Sequence, residues 1–363
     1  MHFALSEEQT LLRDAAVQAL ARRHTLRSVR DALDGTAPPS LWATATEAGW
    51  PGILSGEDAG GAGLGALEAM LVLEACGRVL ADARLLGHLP AASLLERGGG
   101  DATVRTGLAS GRLRAALADA MACGRRPATV IARSGGDGSL HLTGAAGQVL
   151  DAPGADVLVV CCETPGGASV AAWLRGDAAG VSVEPCPAYD ASRSLGRVRL
   201  DGAAATPLDA TAGDALAARH LQRALLGAES LGAAESSLHR ARDHARERVA
   251  FGRPIGSYQA IKHKLVEILR RVENARSLTY YAGWAWQRRA AEFALAANAV
   301  AVSATDALDF AARETIFVLG GLGATWEHDA SLYYRRAELS RRLGGGADAA
   351  ADAVAEELLA AAP

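Results

Sequence analysis

Arg246-Glu247-Arg248-Val249-Ala250-Phe251-Gly252-Arg253-Pro254-Ile255-Gly256, followed by Tyr258-Gln259-Ala260-Ile261-Lys262-His263, is the stretch that orders the rest of the chain. Residues 214–246 before it and 257–290 after it contain no proline, and each reads as one long helix. Pro254 with Gly252 and Gly256 dictates a tight turn between them. Arginines approach that turn and Phe251 stands at its tip. Arginine pairs bidentately with phosphate, and a phenylalanine face suits a flat heterocycle. An ordinary helix corner with surface arginines is the other reading of the same residues.

A third proline-free segment, 294–318, runs into a second glycine cluster, Gly320-Gly321-Leu322-Gly323. Glycine lets a backbone approach a ligand and present amide donors, and it also simply ends helices. Towards the N-terminus the texture changes twice. Residues 113–210 read as short strands: Val130-Ile131 and His141-Leu142-Thr143 flank an Asp137-Gly138 turn, and further runs fall at Val157–Cys162, Ser169–Leu174, Val181–Val183 and Val198–Leu200. Residues 1–112 read as helical. Ser6-x-x-Gln9 is a capping box, Leu11, Leu12, Ala15, Ala16, Ala19 and Leu20 recur at helical spacing, and Leu67 to Val79 carries a second apolar face. The expected architecture is α+β: an N-terminal helical domain (1–112), a middle β-barrel-like domain (113–210) and a C-terminal helical bundle (211–363).

Composition bounds the function. The 363 residues are half hydrophobic, with 5% aromatics, so much of the core is alanine and leucine. A net charge of −4 argues against nucleic acid and against an electrostatic membrane anchor. Only Lys262 and Lys264 are lysines, so 35 of the 37 basic residues are arginine. The five cysteines form no CxxC pair and no His/Cys spacing suits zinc; Cys161 and Cys162 read as buried strand residues. His239, Asp243 and His244 share a helix but diverge around it, so no metal is expected. The apolar run Phe293–Thr305 falls short of the roughly 20 residues of a membrane span. The opening residues carry no basic region or apolar core, so no secretory leader is expected, and the odd thiol count suits a cytoplasmic location.

The two glycine-bearing motifs, in this order and separation, resemble the acyl-CoA dehydrogenase family. Arg248, Phe251, Gly252, Ile255 and Gln259 match its R-x-x-FG-x-x-I-x-x-x-Q pattern, and Gly320, Gly321, Gly323, Glu327 and Arg335 match the stretch that follows. Gly49-Trp50-Pro51-Gly52 and Leu142-Thr143-Gly144 also look like that family, so the resemblance spans the chain. It implies FAD held at a subunit interface by Arg248, Phe251, Gln259, Gly320 and Gly321, an acyl-CoA substrate near Arg223, an electron-transfer acceptor, and α,β-dehydrogenation of the thioester. A carboxylate would remove the α-proton while the β-hydrogen leaves as hydride.

The pattern breaks at the base. One usual position lies 29 residues ahead of Phe251 and holds Gln222, followed by the expected Arg223. The other lies nine residues beyond Arg335 and holds Gly344. The family's cofactor-contacting glutamine is Phe317, and the flavin-binding signature is replaced by Leu117–Gly124. Glu229, two helical turns beyond Gln222, is a weak candidate for a relocated base. The chain also resembles the short, actinobacterial-type branch whose members look like subunits of heteromeric acyl-CoA dehydrogenases. Three readings remain: an FAD-dependent dehydrogenase subunit, a non-catalytic partner completing a neighbour's FAD site, or the same fold with changed chemistry, such as a flavin monooxygenase or a flavin-free enzyme.

Overall fold

The computed structural model describes residues 4–36, 40–119, 129–136 and 138–360. Six helices come first: α1 (Glu7–Arg23), α2 (Leu26–Leu33), α3 (Trp42–Glu47), α4 (Ala66–Arg78), α5 (Leu85–Arg97) and α6 (Ala102–Ala109). The Ser6 hydroxyl accepts from the Gln9 amide and the Gln9 side chain accepts from the Ser6 amide, which closes the capping box. Ala16 and Leu20 of α1 are buried, whereas Leu11 lies one step off that stripe and faces outward.

Among the described residues, seven strands follow: β1 (Ala115–Ala118), β2 (Val130–Ser134), β3 (Leu140–Leu150), β4 (Val157–Glu163), β5 (Ser169–Arg175), β6 (Val181–Pro185) and β7 (Leu195–Pro207). They pair in the order β1-β4-β2-β3-β7-β5, with β6 added antiparallel to β7, and β5 returns to β4, so the sheet closes on itself. β2 and β3 form the expected hairpin, with Ile131 opposite Thr143; Asp137 in its turn lies outside the described residues. Closure leaves an apolar interior of Val130, Leu142, Val149, Val160, Val198 and Leu200, among others. Cys161 and Cys162 are buried on β4 as expected, while Cys123 lies outside the described residues.

The chain ends in α7 (Ala212–Glu247), α8 (Gln259–Arg288), α9 (Ala290–Leu319), α10 (Ala330–Ser340) and α11 (Ala347–Ala360). The structure corrects one expectation here. The apolar run is part of a 30-residue helix, so α9 is long and apolar enough to cross a membrane by length and composition. Its apolar side is instead turned inward: Ala297, Val300, Ala304, Ala307, Leu308 and Ala311 all belong to the core shared by the first and last helical groups.

Small residues set how closely those groups approach. At the crossing of α4 and α7, a Cβ on Gly77 would lie 1.9 Å from the Glu229 carbonyl oxygen, and a Cβ on Gly232 would lie 1.9 Å from that of Glu74. Each glycine receives the other helix's backbone, so the two helices touch main chain to main chain.

Candidate functional site

The turn between α7 and α8 and the glycine cluster after α9 stand at the same end of the bundle. Ala241 and Ala245 of α7, Ile255 of the turn, Ile261 and Leu265 of α8, and Val318 of α9 form one small apolar cluster. Thr315 of α9 donates to the Ser237 carbonyl of α7 at 3.0 Å and fixes their relative height. Val249–Ala250 and Arg253–Pro254 pair as a minimal hairpin, with Phe251 and Gly252 at its tip. Phe251 is 96% exposed and its backbone is left-handed (φ 54°), a conformation costly for an aromatic residue. Arg248, at the foot of the hairpin, and Gln259, the first residue of α8, are exposed as well. Gly320 adopts φ 62°, ψ −137°, a region open essentially to glycine alone. A Cβ on Gly320 or on Gly321 would meet nothing within 4 Å, so the glycine ledge is open to a ligand. An exposed ring, an arginine and an accessible glycine backbone on one edge suit an aromatic nucleotide with a pyrophosphate, so these residues fit FAD. Phe317, which replaces the family's glutamine, is exposed and carries the Lys264 ammonium 4.1 Å above its ring. The replaced flavin-binding signature runs into residues 120–124, which lie outside those described.

The two usual base positions, far apart in sequence, are linked through Arg223, the residue after Gln222, which reaches Gly344. Gln222 is buried and its amide nitrogen donates to the Leu86 carbonyl at 3.1 Å. Arg223, 5% exposed, donates from Nε to the Gly344 carbonyl at 2.7 Å and from Nη1 to the Asn298 side-chain oxygen. A Cβ on Gly344 would lie 3.4 Å from the Arg223 side chain. The carboxylate that either position would have contributed is replaced by a neutral donor on one side and by bare backbone on the other. Asn298 was legible only as a lone amide in an alanine-rich run; its partner Arg223 could not be read from spacing.

The structure does not bring Glu229 to that place as a free acid. It is 1% exposed at the α4–α7 crossing, with Oε2 on Arg193 and Oε1 3.2 Å from Arg336. Arg336 continues to Asp190 and Ser192, and Arg193 approaches Asp82 at 4.0 Å. Asp82 follows α4, Asp190 to Arg193 precede β7, and Arg336 lies on α10, so one buried ion network ties all three parts of the chain together. A carboxylate held between two guanidinium groups and 1% exposed has no open side from which to take a proton from carbon. Sequence reasoning missed this network because Arg193 and Arg336 carry no motif; the lone acid Glu229 in the small-residue run 227–234 was the available signal.

Residues 6–105 match the model of the acyl-CoA dehydrogenase N-terminal domain, and residues 213–359 match that of the acyl-CoA dehydrogenase C-terminal domain. The chain belongs to the acyl-CoA dehydrogenase family. It is 32% identical to the acyl-CoA dehydrogenase IpdE2 of Mycobacterium tuberculosis (strain ATCC 25618 / H37Rv) over 342 residues, covering 93% of both chains. Among solved structures it resembles a chain of the ChsE4-ChsE5 complex from Mycobacterium tuberculosis (TM-score 0.89, 26% identity, 100% of both chains). A similar likeness holds for a variant of the Tcur3481-Tcur3483 steroid ACAD (TM-score 0.88, 26% identity, 98% of both chains).

Proposed function

We propose that this chain is a subunit of an FAD-dependent acyl-CoA dehydrogenase assembly in which it completes the cofactor site and a second subunit supplies the catalytic base. The observation that carries this reading is the pairing of an intact cofactor edge with a disarmed base position. Arg248, Phe251, Gln259, Gly320 and Gly321 are exposed along one edge, where they would hold the pyrophosphate and adenine of FAD bound mainly by a neighbour. Gln222 and Gly344 stand where the carboxylate would be, and Glu229 is locked between arginines. FAD, when bound, supplies the acceptor for the β-hydrogen of the acyl thioester and passes the electrons to a separate acceptor. Arg223 orders the turn at Gly344 and Asn298, and the Arg193–Glu229–Arg336 network holds the three parts of the chain at a fixed angle around the site. The likeness to chains of the ChsE4-ChsE5 complex supports a heteromeric partner of the same fold.

The ultraviolet–visible spectrum of the chain, purified alone and co-expressed with a second acyl-CoA dehydrogenase subunit, tests the reading. Alone it should be nearly colourless. The co-purified assembly should be yellow, should bleach on adding an acyl-CoA, and should lose flavin on Phe251→Ala. A chain that is yellow alone and bleaches with acyl-CoA would overturn the division of labour. Oxygen consumption with reduced flavin and no bleaching by acyl-CoA would place the fold in monooxygenase chemistry instead.

A further inference from the structure

The first turn of α5 is held by a carboxyl group from the barrel. Asp151, in the turn after β3, is fully buried, and its Oδ2 accepts from the Gly87 amide at 2.8 Å. Arg84 at the N-cap of α5 makes no side-chain cap of its own, so Asp151 caps the helix from another part of the chain. Both residues have left-handed backbones, φ 60° at Arg84 and 61° at Asp151, which the packing around them must impose. One residue before Gly87, the Leu86 carbonyl receives the Gln222 amide.

A second carboxyl stands beside the first. Ser194 binds both: its amide donates to Asp82 Oδ2 at 3.0 Å, and its carbonyl accepts from the Asp151 amide at 3.0 Å. Asp82 has partners on both oxygens, since Oδ1 takes the Arg84 amide and lies 4.0 Å from Arg193. Asp151 does not: among the described residues no donor reaches its buried Oδ1, and no acceptor reaches the buried Nη1 of Arg84. Arg84, Arg193 and, ahead of β1, Arg114 are the cations around Asp151, while His24 faces Asp82 and His88 follows Gly87 on α5. Burial, and after it the charge of Asp82, pushes the pKa of Asp151 up to about 7 against the pull of Arg84, the Gly87 amide and Arg193. Burial holds both histidines below their ordinary range, so they are neutral where Asp151 titrates. A proton on Oδ1 gives that oxygen a donor and removes one of two like charges from a buried junction. Without the proton, Asp151 has a single amide for a partner, and Arg84, in the same helical turn, is drawn towards it.

We propose that Asp151 is a proton-operated latch on the first turn of α5: protonated, beside the charged Asp82, it ties that turn to the barrel and keeps the Leu86 carbonyl on Gln222; deprotonated, it releases the turn. The held turn binds the extra proton, so the latch is closed below about pH 7 and opens as pH rises through it. The latch needs neither FAD nor a second subunit, so the isolated chain reports it and its failure leaves the cofactor reading untouched.

Infrared difference spectra of the full chain between pH 5.5 and pH 9 test it, because a protonated carboxyl has a carbonyl stretch that a carboxylate lacks. One such band should titrate with a midpoint of about 7 and be missing from Asp151→Asn. Asp82→Asn, which removes the like charge, should lower that midpoint by roughly one pH unit. Hydrogen exchange of residues 85–89, corrected for the intrinsic rate, reads the latch itself. Protection there should fall roughly tenfold from pH 6 to pH 8.5 with β4 unchanged, and should stay high at both values in Asp151→Asn. If Asp151→Asn does not fold, the wild-type band and its shift in Asp82→Asn decide the matter. No band titrating between pH 6 and pH 8, a midpoint unmoved by Asp82→Asn, or a fall in protection shared by β4 or by Asp151→Asn would overturn the latch.

Discussion

Glu229→Gln separates a strut from a base, because the two roles predict opposite phenotypes. As a base, the residue would lose turnover on substitution while the fold stayed intact. In the structure, the substitution removes one charge from a buried cluster in which Arg193 and Arg336 face Glu229, Asp190 and Asp82. Breaking a buried pair typically costs about 3–5 kcal/mol. Asp190 still neutralises Arg336 and Asp82 still approaches Arg193, so the low end applies, about 3 kcal/mol. Glutamine keeps the shape and one acceptor, which also favours the low end. Equilibrium urea unfolding of the purified chain reads the loss, and flavin content and acyl-CoA bleaching of the co-purified assembly are read on the same preparation. A stability change below about 1 kcal/mol together with abolished bleaching and full flavin content would refute the strut and restore Glu229 as the base.

Gln222→Glu sets a carboxylate against the Leu86 carbonyl in place of a donor; it should cost about 1–3 kcal/mol by thermal or urea unfolding and create no dehydrogenation in the isolated chain. Bleaching gained by that variant alone would show that only the charge was missing. Phe251→Gly should stabilise the chain by up to about 1 kcal/mol, because it relieves a left-handed backbone at a residue that packs on nothing, while the assembly loses flavin. His88 sets a pH dependence. It is fully buried between the Pro51 carbonyl and the Ala115 amide, and burial pushes its pKa from 6.5 down to about 4. The unfolded chain then binds the extra proton, so the stability is complete above about pH 6.5 and is lost as pH falls towards 4. The loss is about 3 kcal/mol at most and is absent in His88→Gln, as unfolding at pH 7 and pH 4.5 would show.

The long helices, the capping box and the hairpin were legible because each is a local pattern: proline-free runs, Ser6 with Gln9, apolar strands around Asp-Gly. β1 was not, since Ala115-Ala116-Leu117-Ala118 favours helix by propensity and becomes a strand only by pairing in parallel with Val157 to Val160. The exposed hairpin tip and glycine ledge, proposed above as the cofactor edge, stood out for a different reason. Phe251 and Gly320 are residues whose backbone or exposure a core would not choose, and such departures survive in the sequence. The reach of Arg223 to Gly344, and the arginine network around Glu229, are contacts between distant segments. Nothing in the spacing of the chain carries them; closure of α4, α7 and α10 on one another does.

The back-to-back glycines at the α4–α7 crossing have a genetic consequence. In a helix, alanine in place of glycine ordinarily gains about 1 kcal/mol, and in so alanine-rich a chain this is the exchange that drift would be expected to try most often. At Gly77 and Gly232 the sign reverses, because the new methyl would sit inside the neighbouring carbonyl oxygen and lever the first helical group off the last. These two positions should therefore be among the least tolerant in the protein to a change that is elsewhere the mildest available, although neither touches a ligand.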